Sequence, residues 1–358
     1  MKAARRGHLA IPLVLLAALL MTWNGCAAPQ GQNLFQSAAG QEQEAPGQGE
    51  DAETIHILLT HTDCEGSVPD YEAQLFKKSL EHRSGGLFQV EIYPDDSLGN
   101  LEDSRGFFSN GAVDMRLGTG RSNVMPIILW LPVLKQTTLT QVERALQPDG
   151  ALFQLMSQDY VQTDNNCMLL GTFHCMYRTL TSNVPVTGVD DISAIRIRTI
   201  DNALEAKAWQ ALGAETAVYP INKVYLALQQ GEIDAQENTW QMVLSRKFYL
   251  QQRYFANTNH KFYMDPLYIS RSFYEGLSQE QQEMIYQAVE DAQRLMNLDL
   301  ERFWEEYTRV TQQAGIVMIN WTNEERERMR EILYPVVWQE LCRSYGAAQV
   351  QAVLDAVP

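Results

Sequence analysis

The stretch IRIRTIDNALEAKAWQALGAETAVYPINKVYLALQQGEIDAQEN, residues 195–238, indicates the fold class of this 358-residue chain. Short β-branched segments alternate in it with segments whose apolar residues recur at helical spacing. Gly231 follows the second helical segment, at a position where helices commonly end. The predicted elements are a strand at Ile195–Arg198, a helix at Ala203–Leu212, a strand at Thr216–Tyr219, a helix at Lys223–Gln230 and a strand at Ile233–Ala235. Strands joined through helices favour an α/β architecture with largely parallel sheets.

A similar series earlier in the chain indicates a second lobe. Two such series exceed what one hydrophobic core usually holds, because cores stop growing near roughly 250 to 300 residues. Its predicted elements are strand Ile55–Thr60, helix Tyr71–His82, strand Phe88–Tyr93 and strand Ala112–Leu117. A long strand at Lys261–Ser270 is expected to cross between the lobes. We expect lobe I to comprise residues 54–175 and 264–303, and lobe II residues 176–263 and 304–358.

The last quarter of the chain is predicted to be helical. Ser278 with Gln281, and Thr322 with Glu325, have the spacing of capping boxes that begin helices. Apolar residues at helical spacing continue from Gln281 to Gln313, which is long for a helix in a globular protein. Such a helix can brace two lobes or form the seam of a homodimer, and bracing needs fewer assumptions.

The first 25 residues have the form of a secretory signal peptide. Three cationic residues, Lys2, Arg5 and Arg6, precede an apolar run from Leu9 to Met21. This run is too short to span a bilayer, which takes roughly 20 apolar residues. Cys26 follows a small residue at the end of the run, so we expect it to be the lipidated N-terminus of the mature protein. Plain cleavage is the alternative.

Residues 26–53 are rich in Gln, Gly, Ala, Glu and Pro, a composition that cannot bury enough apolar surface to fold. We therefore predict a disordered tether. The expected location is the periplasm or the cell surface, with the protein held at the membrane through Cys26.

The chain is strongly acidic, with 28 Lys and Arg against 44 Asp and Glu and a formal charge of −16. Nucleic acid is therefore an unfavourable partner. An anionic ligand would need a local cluster of arginines.

The cysteines beyond Cys26 fit no zinc or redox spacing; they are Cys64, Cys167, Cys175 and Cys342. A disulfide between Cys167 and Cys175 is one interpretation, but scattered cysteines in a large chain are more often buried as small apolar residues.

Tests for catalysis and cofactor binding are negative. The sequence has no GxSxG elbow, HExxH pair or Walker loop, and Gly118–Asn123 fails the last position of the dinucleotide fingerprint. The nearest approach to a metal site is His61-Thr62-Asp63-Cys64, for which a loop is the simpler interpretation. We expect no cofactor, no metal and no enzymatic activity. A surface hydrolase would require a nucleophile and a base whose spacing is not seen.

Two arginines on strand-like segments are the residues most suited to bind an anion. Arg178 and Arg198 are twenty positions apart, and the period of two in Ile195–Thr199 puts Arg196 and Arg198 on one face. A guanidinium at the carboxyl end of a strand offers two parallel N–H donors to a carboxylate. The alternative is that these arginines are exposed, or paired with the nearby Asp190 and Asp191.

The stretch from Val189 to Asn259 resembles the DctP-type solute-binding proteins of tripartite ATP-independent periplasmic (TRAP) transporters. The motifs that carry the resemblance are IRIR at 195–198, ALGA at 211–214, KVYLALQQG at 223–231, IDAQEN at 233–238 and KFY at 247–249. The resemblance implies a two-lobed α/β fold of the periplasmic-binding-protein type that closes over a small organic carboxylate. It also implies delivery of that ligand to integral membrane subunits of a transporter. A ligand-sensing lipoprotein that reports to a receptor is the alternative.

The resemblance also implies site residues. The family's carboxylate-binding Arg falls on Arg198, its second Arg on Arg178 and its ligand-contacting Asn on Asn238. Ile221 stands where many members have a stacking Phe, and Trp240 follows Thr239 where the motif usually has Pro. In the first lobe, Arg116, Thr119 and Arg121 occupy a segment that contacts ligand in some members. Arg116 and Arg121 either add positive charge to the cleft or lie on the plain surface.

Overall fold

In a computed structural model of the protein, the described residues are 53–95, 97–98, 111–120, 122–163 and 166–358, without the side chain of His174. They belong to one compact unit. The predicted signal peptide, Cys26, residues 26–52 of the predicted tether, and Arg121 lie outside the described residues. No helix in the described ranges is long and apolar enough to cross a membrane.

The described residues contain eleven strands in two sheets, with helices between them. The strands are β1 Ile55–His61, β2 Phe88–Tyr93, β3 Met115–Leu117, β4 Cys167–Tyr177, β5 Thr179–Ser182, β6 Arg196–Thr199, β7 Glu215–Val218, β8 Ala235–Asn238, β9 Tyr254–Ala256, β10 Phe262–Ser270 and β11 Val317–Ile319. The α-helices are α1 Val68–Arg83, α2 Met125–Leu129, α3 Leu131–Lys135, α4 Leu139–Ala145, α5 Ala151–Thr163, α6 Ala203–Ala211, α7 Ile221–Gln229, α8 Trp240–Ser245, α9 Arg271–Glu275, α10 Gln279–Gln313, α11 Asn323–Tyr345 and α12 Ala347–Asp355. Short 3₁₀ turns occupy Val189–Ala194 and Phe248–Leu250.

The first sheet, which we call sheet I, has the order β2-β1-β3-β10-β4. Strand β1 is parallel to both β2 and β3, whereas β10 runs antiparallel to β3 and β4. The second, sheet II, has the order β11-β9-β5-β8-β6-β7. Strand β6 is parallel to β7 and β8, and β5 is antiparallel to β8 and β9. The predicted two-lobed α/β architecture is confirmed, with one sheet in each lobe.

The chain crosses between the sheets three times, twice at adjacent places and once through α9 and α10, which join β10 of sheet I to β11 of sheet II. Arg178 is the single residue between β4 of sheet I and β5 of sheet II, and residues 257–261 join β9 to β10. The two crossings touch, because the Arg178 backbone N–H donates to the Lys261 carbonyl at 2.9 Å. The prediction that Lys261–Ser270 crosses between lobes is wrong in detail. All of β10 lies in sheet I, since its pairing with β4 extends from Phe262 to Ser270.

The long helix α10 lies against both lobes. It begins at the predicted capping box, where Ser278 accepts from the Gln281 N–H and the Gln281 side chain accepts from the Ser278 N–H. Tyr71 of α1 packs edge-on against Phe303 of α10 at 5.2 Å between ring centroids. On the sheet II side, Trp240 of α8 packs against Trp304 at 5.9 Å. The helix therefore braces the two lobes, as predicted.

The second predicted capping box, at the start of α11, is only half formed. Thr322 accepts from the Glu325 N–H at 3.2 Å, as expected. The Glu325 carboxylate instead accepts from the backbone N–H of Val189 at 2.8 Å and binds Arg328. The side chain of a capping residue can serve tertiary structure when a backbone donor from another segment reaches it.

Cys167 and Cys175 lie in the same strand, β4, and are both buried. Two residues eight positions apart in one extended strand are too far apart to form a disulfide. None of the four cysteines of the described ranges forms a disulfide. Burial raises the pKa of Cys175 well above its ordinary value. These two residues act as small apolar parts of the core, which contradicts a Cys167–Cys175 pair.

Candidate functional site

Arg198 lies near the carboxyl end of β6, inside sheet II, and is only 3% exposed. Its Nε donates to the backbone carbonyl of Tyr219 at 2.8 Å. Within the described part of the chain, no carboxylate forms an ion pair with it. Burial lowers the pKa of Arg198 to about 10, against the opposing charge of Glu237, and the nearby Arg178 lowers it further. A buried cation held in this way is poised to receive an anion.

The alternative in which Asp190 or Asp191 neutralises this arginine is wrong. Asp190 binds Arg328 of α11, with 2.8 Å between Oδ1 and Nη2. Asp191 accepts from the backbone and side chain of Thr187 at 2.7 Å each. Arg196, on the same strand, already has a hydrogen-bond partner, because its Nη2 donates to the Gly231 carbonyl at 2.6 Å.

Arg178 has a dedicated carboxylate. Its Nε and Nη2 bind the two carboxylate oxygens of Glu237, and Nη2 also donates to the Glu237 carbonyl at 2.9 Å. Although burial alone would raise the pKa of Glu237, Arg178 and His260 hold it well below the ordinary range. The antiparallel pairing of β5 with β8, which sets Thr179 opposite Asn238, brings the two side chains together. Only Nη1 of Arg178 lies outside this bidentate pair.

Further charges surround the two arginines. Lys261 forms a buried ion pair with Glu205 and lies 5.3 Å from the centroid of the Trp130 ring. His260 Nε2 is 3.5 Å from a carboxylate oxygen of Glu237. We define the buried charge cluster as Arg178, Arg198, Lys261, Glu205 and Glu237. Three cations face two carboxylates in it, so one positive charge is in excess.

Asn238 ends β8 beside Arg198 and is 1% exposed. In the parallel pairing of β6 with β8, Arg198 stands opposite Gln236, so both project from the same face as Asn238. Asn238 Nδ2 donates to the Gln236 side-chain carbonyl at 3.1 Å. Gln236 in turn donates to Thr181 at 2.6 Å. This chain of amides holds Asn238 at the carboxyl ends of two parallel strands, where α/β sheets bind their ligands.

Arg116 and Thr119 lie at one end of β3 in sheet I. Arg116 is 2% exposed, so the interpretation that it is plain surface is wrong. Its Nε donates to the Thr119 carbonyl at 3.4 Å, and it stands opposite Tyr268 of β10. That they contact ligand stays a prediction. The same prediction for Arg121 falls outside the described residues.

Ile221 and Trp240 each pack against protein. Ile221 begins α7 and packs against the small core of sheet II that includes Val224 and Phe248. The Trp240 ring lies 5.0 Å from that of Tyr307 on α10. Both are partly buried, and their proposed contact with ligand is not tested by these contacts.

Glu237, Glu205 and Lys261 were not predicted from the sequence to be site residues. A signal for Glu237 existed, because a charged residue inside a buried strand needs a partner. The identity of that partner depended on strand pairing, which the sequence does not reveal. His61, which was predicted to lie in a loop, is instead the buried last residue of β1, and its Nε2 lies 3.3 Å from Asp70. No group of three potential metal ligands occurs among the residues the structure covers.

Residues 60–343 match the family described as bacterial extracellular solute-binding protein, family 7, or DctP. The chain belongs to this family. It is 29% identical over 236 residues to the ectoine-binding periplasmic protein TeaA of Halomonas elongata, which covers 65% of this chain and 68% of TeaA. It is 27% identical over 288 residues to the sialic acid-binding periplasmic protein SiaP of Vibrio cholerae, covering 76% and 84% of the two chains.

Solved structures share the fold of the DctP family. A TRAP periplasmic solute-binding protein from Desulfovibrio salexigens, with bound orotic acid, has a TM-score of 0.73 at 19% identity and covers 84% of this chain and 97% of its own. One from Shewanella oneidensis, with bound succinate, has a TM-score of 0.73 at 20% identity, covering 85% and 99%. The resemblance inferred from the motifs is thereby confirmed.

Proposed function

We propose that this protein captures a small organic carboxylate between its lobes, with Arg198 as the anchor, and delivers it to the integral membrane subunits of a TRAP transporter. No bond is made or broken in this function. The observation that carries it is the state of Arg198, which is buried, held by one backbone carbonyl and free of any carboxylate in the described ranges. The family relationship supports the transport role.

The charge balance indicates how much negative charge the site takes up. One ligand carboxylate would neutralise the excess positive charge of the buried charge cluster, and bidentate binding to Arg198 would satisfy its Nη atoms. Asn238 is placed to bind the same carboxylate or a neighbouring hydroxyl. Arg178 adds positive charge near the ligand carboxylate. Its Nη1, which does not bind Glu237, is the nitrogen that can bind the ligand directly. We infer that Ile221, Trp240, Arg116, Thr119 and Arg121 shape the rest of the site.

Export and anchoring complete the proposal. The charged start, apolar run and Gly25-Cys26 junction support a signal peptide and a lipid anchor at Cys26, with residues 26–53 as a tether. Mass spectrometry of the membrane fraction would show a diacylglycerol-modified Cys26 at the N-terminus.

A sensing lipoprotein is distinguished from a transport protein by gene neighbourhood, since transport predicts adjacent genes for two integral membrane proteins. Homodimerisation through α10 predicts a dimer by light scattering at micromolar concentration.

A thermal-shift screen tests capture directly. The panel consists of succinate, orotate, sialic acid, 2,3-diketo-L-gulonate and ectoine, the ligands in the names of relatives and structural neighbours. A compound present at a hundred times its dissociation constant stabilises the fold by about 2.7 kcal/mol. We expect at least one carboxylate to raise the melting temperature and a matched amide to leave it unchanged. Equal shifts from acids and their amides would contradict carboxylate recognition.

The variant Arg198→Ala tests the anchor. Leaving one partner of a buried charge pair alone costs about 3 to 5 kcal/mol, so we expect calorimetric affinity for the best acid to fall more than a hundredfold. Arg328→Ala is the matched control, because Arg328 is an exposed arginine already paired with Asp190 and Glu325. Unchanged affinity in Arg198→Ala would reject the assignment.

A further inference from the structure

Arg246 joins the two lobes through its side chain. It follows α8, the helix that comes directly after β8 of sheet II. Its Nε lies 3.0 Å from a carboxylate oxygen of Asp63, and its Nη2 lies 2.8 Å from one of Asp95. Nη2 also donates to the Thr62 carbonyl at 3.3 Å. One guanidinium from lobe II thus binds three acceptors in lobe I.

The acceptors are assembled within lobe I without help from Arg246. Thr62 and Asp63 follow β1, and Asp95 follows the neighbouring parallel strand β2. The Asp95 N–H donates to the Asp63 carbonyl at 2.7 Å, and the Cys64 N–H donates to the Asp63 carboxylate at 2.8 Å. The left-handed backbone of Asp95, with φ of 58°, turns the chain at this point. Lobe I therefore offers a preformed acidic receptor to a cation from the other lobe.

The position of these contacts distinguishes them from the structural ion pairs of the protein. The covalent crossings between the sheets are at Arg178, residues 257–261 and residues 271–316, and none of the Arg246 contacts involves them. Side-chain exposure is 11% for Arg246 and 2% for Asp63, so the pair is shielded from water and is worth more than a surface pair. The Ser245 side chain lies near Cys64 of lobe I and lowers the pKa of its thiol, which burial raises to about 11.

We propose that Arg246 is a latch that holds the lobes closed by binding Asp63, Asp95 and the Thr62 carbonyl, and so determines how firmly the protein retains its ligand without touching it. When the lobes separate, the latch breaks and water solvates its three charged groups. The latch does not depend on which acid the protein carries. It selects the closed arrangement by interactions that exist only in that arrangement.

Ser245→Cys turns the neighbouring contact into a reporter of closure. In this variant the new thiol faces that of Cys64 across the two lobes, and diamide oxidises the two thiols to a disulfide while being reduced to the hydrazine. The rate of crosslinking, followed by mass spectrometry of the peptide linking positions 64 and 245, measures how often the closed arrangement is visited. The full chain is used without added ligand, so the result is separate from the outcome of the binding assays.

Adding Arg246→Gln to Ser245→Cys is expected to slow crosslinking about tenfold, because hydrogen bonds between charged groups are lost. Asp95→Asn, at a side chain that is 56% exposed, should slow it less and without loss of folding. The control is Arg328→Gln in the same background, which should leave the rate unchanged. A rate that is the same with and without Arg246, or no crosslinking in Ser245→Cys itself, would overturn the latch.

Discussion

Arg178 and Arg198 differ in what neutralises them, although both are buried cations near β8. The Arg178 guanidinium is bound on one side by both carboxylate oxygens of Glu237. Arg198 has a backbone carbonyl and, in the described residues, no carboxylate. Burial lowers the pKa of both arginines, but the Glu237 carboxylate more than offsets this at Arg178, whose pKa is raised, whereas the pKa of Arg198 falls to about 10. Arg178 is thus part of a completed structural pair, whereas Arg198 is the residue that we propose a ligand carboxylate pairs with.

The difference follows from the positions of the two residues in the fold. Arg178 lies between β4 and β5, next to the residue that stands opposite Asn238, and so beside Glu237. Arg198 lies on β6, on the other side of β8, opposite Gln236. Alternation along β8 sends Glu237 to one face and Gln236 and Asn238 to the other. Strand β8 thus supplies the carboxylate that binds Arg178, whereas the residue it places opposite Arg198 is the neutral Gln236.

The strongest test of this contrast is the stability of Arg178→Gln. We expect it to lower the free energy of unfolding by about 3 to 5 kcal/mol, because Glu237 is left buried without its main partner. Urea unfolding of the variant and the wild type, without ligand, gives this value. Arg198→Gln is the matched control and should unfold at the same or a higher urea concentration, since it removes an unneutralised buried charge. Equal destabilisation by the two variants would mean that both arginines are structural.

The acid side of the same pair predicts a pH dependence. The pKa of Glu237 is held below its ordinary value of 4.5 by Arg178, His260 and Lys261, against burial. A carboxyl with a depressed folded-state pKa contributes stability above its unfolded pKa and loses it as pH falls. The difference in unfolding free energy between wild type and Glu237→Gln should therefore be constant near neutrality and shrink below about pH 4.5. A difference that stays constant down to pH 3 would show that the pKa of Glu237 is the same in the folded and the unfolded protein.

The strand that carries the proposed anchor Arg198 could be predicted from the sequence, but the surroundings of Arg198 could not. Local pattern predicted the period of two around Arg198, the helical segments after it and a strand at Phe88–Tyr93. Strand β2 has the bounds predicted for it. Local periodicity is set by burial of one face of an element, so it is visible in a single segment. The resemblance then gave Arg198 its role.

Pairs between distant residues could not be predicted in the same way. Glu237 is 59 positions from Arg178, and Asp63 is 183 positions from Arg246. These pairs depend on strand order and on how the two lobes meet, and no local pattern carries that information. The alternative in which Asp190 and Asp191 pair with the arginines failed for the same reason, because it took proximity along the chain for proximity in space. The half-formed capping box at Thr322 has the same cause, because the Glu325 carboxylate binds the N–H of Val189, which is distant in sequence.

The smallest effect is expected at Asn238, which adds one neutral hydrogen bond to the charged contact made by Arg198. Asn238→Ala should weaken binding of the best acid in the panel by about tenfold, the equivalent of about 1.4 kcal/mol. Calorimetry measures this loss, and Asn222→Ala, at an exposed position of α7, is the control. If Asn238 instead serves only to hold Gln236 through its 3.1 Å bond, the variant will lose stability and keep its affinity. A loss of affinity as large as that of Arg198→Ala would show that the amide, and not the guanidinium alone, carries the carboxylate, and the contrast between the two arginines would then have to include β8 as a third participant.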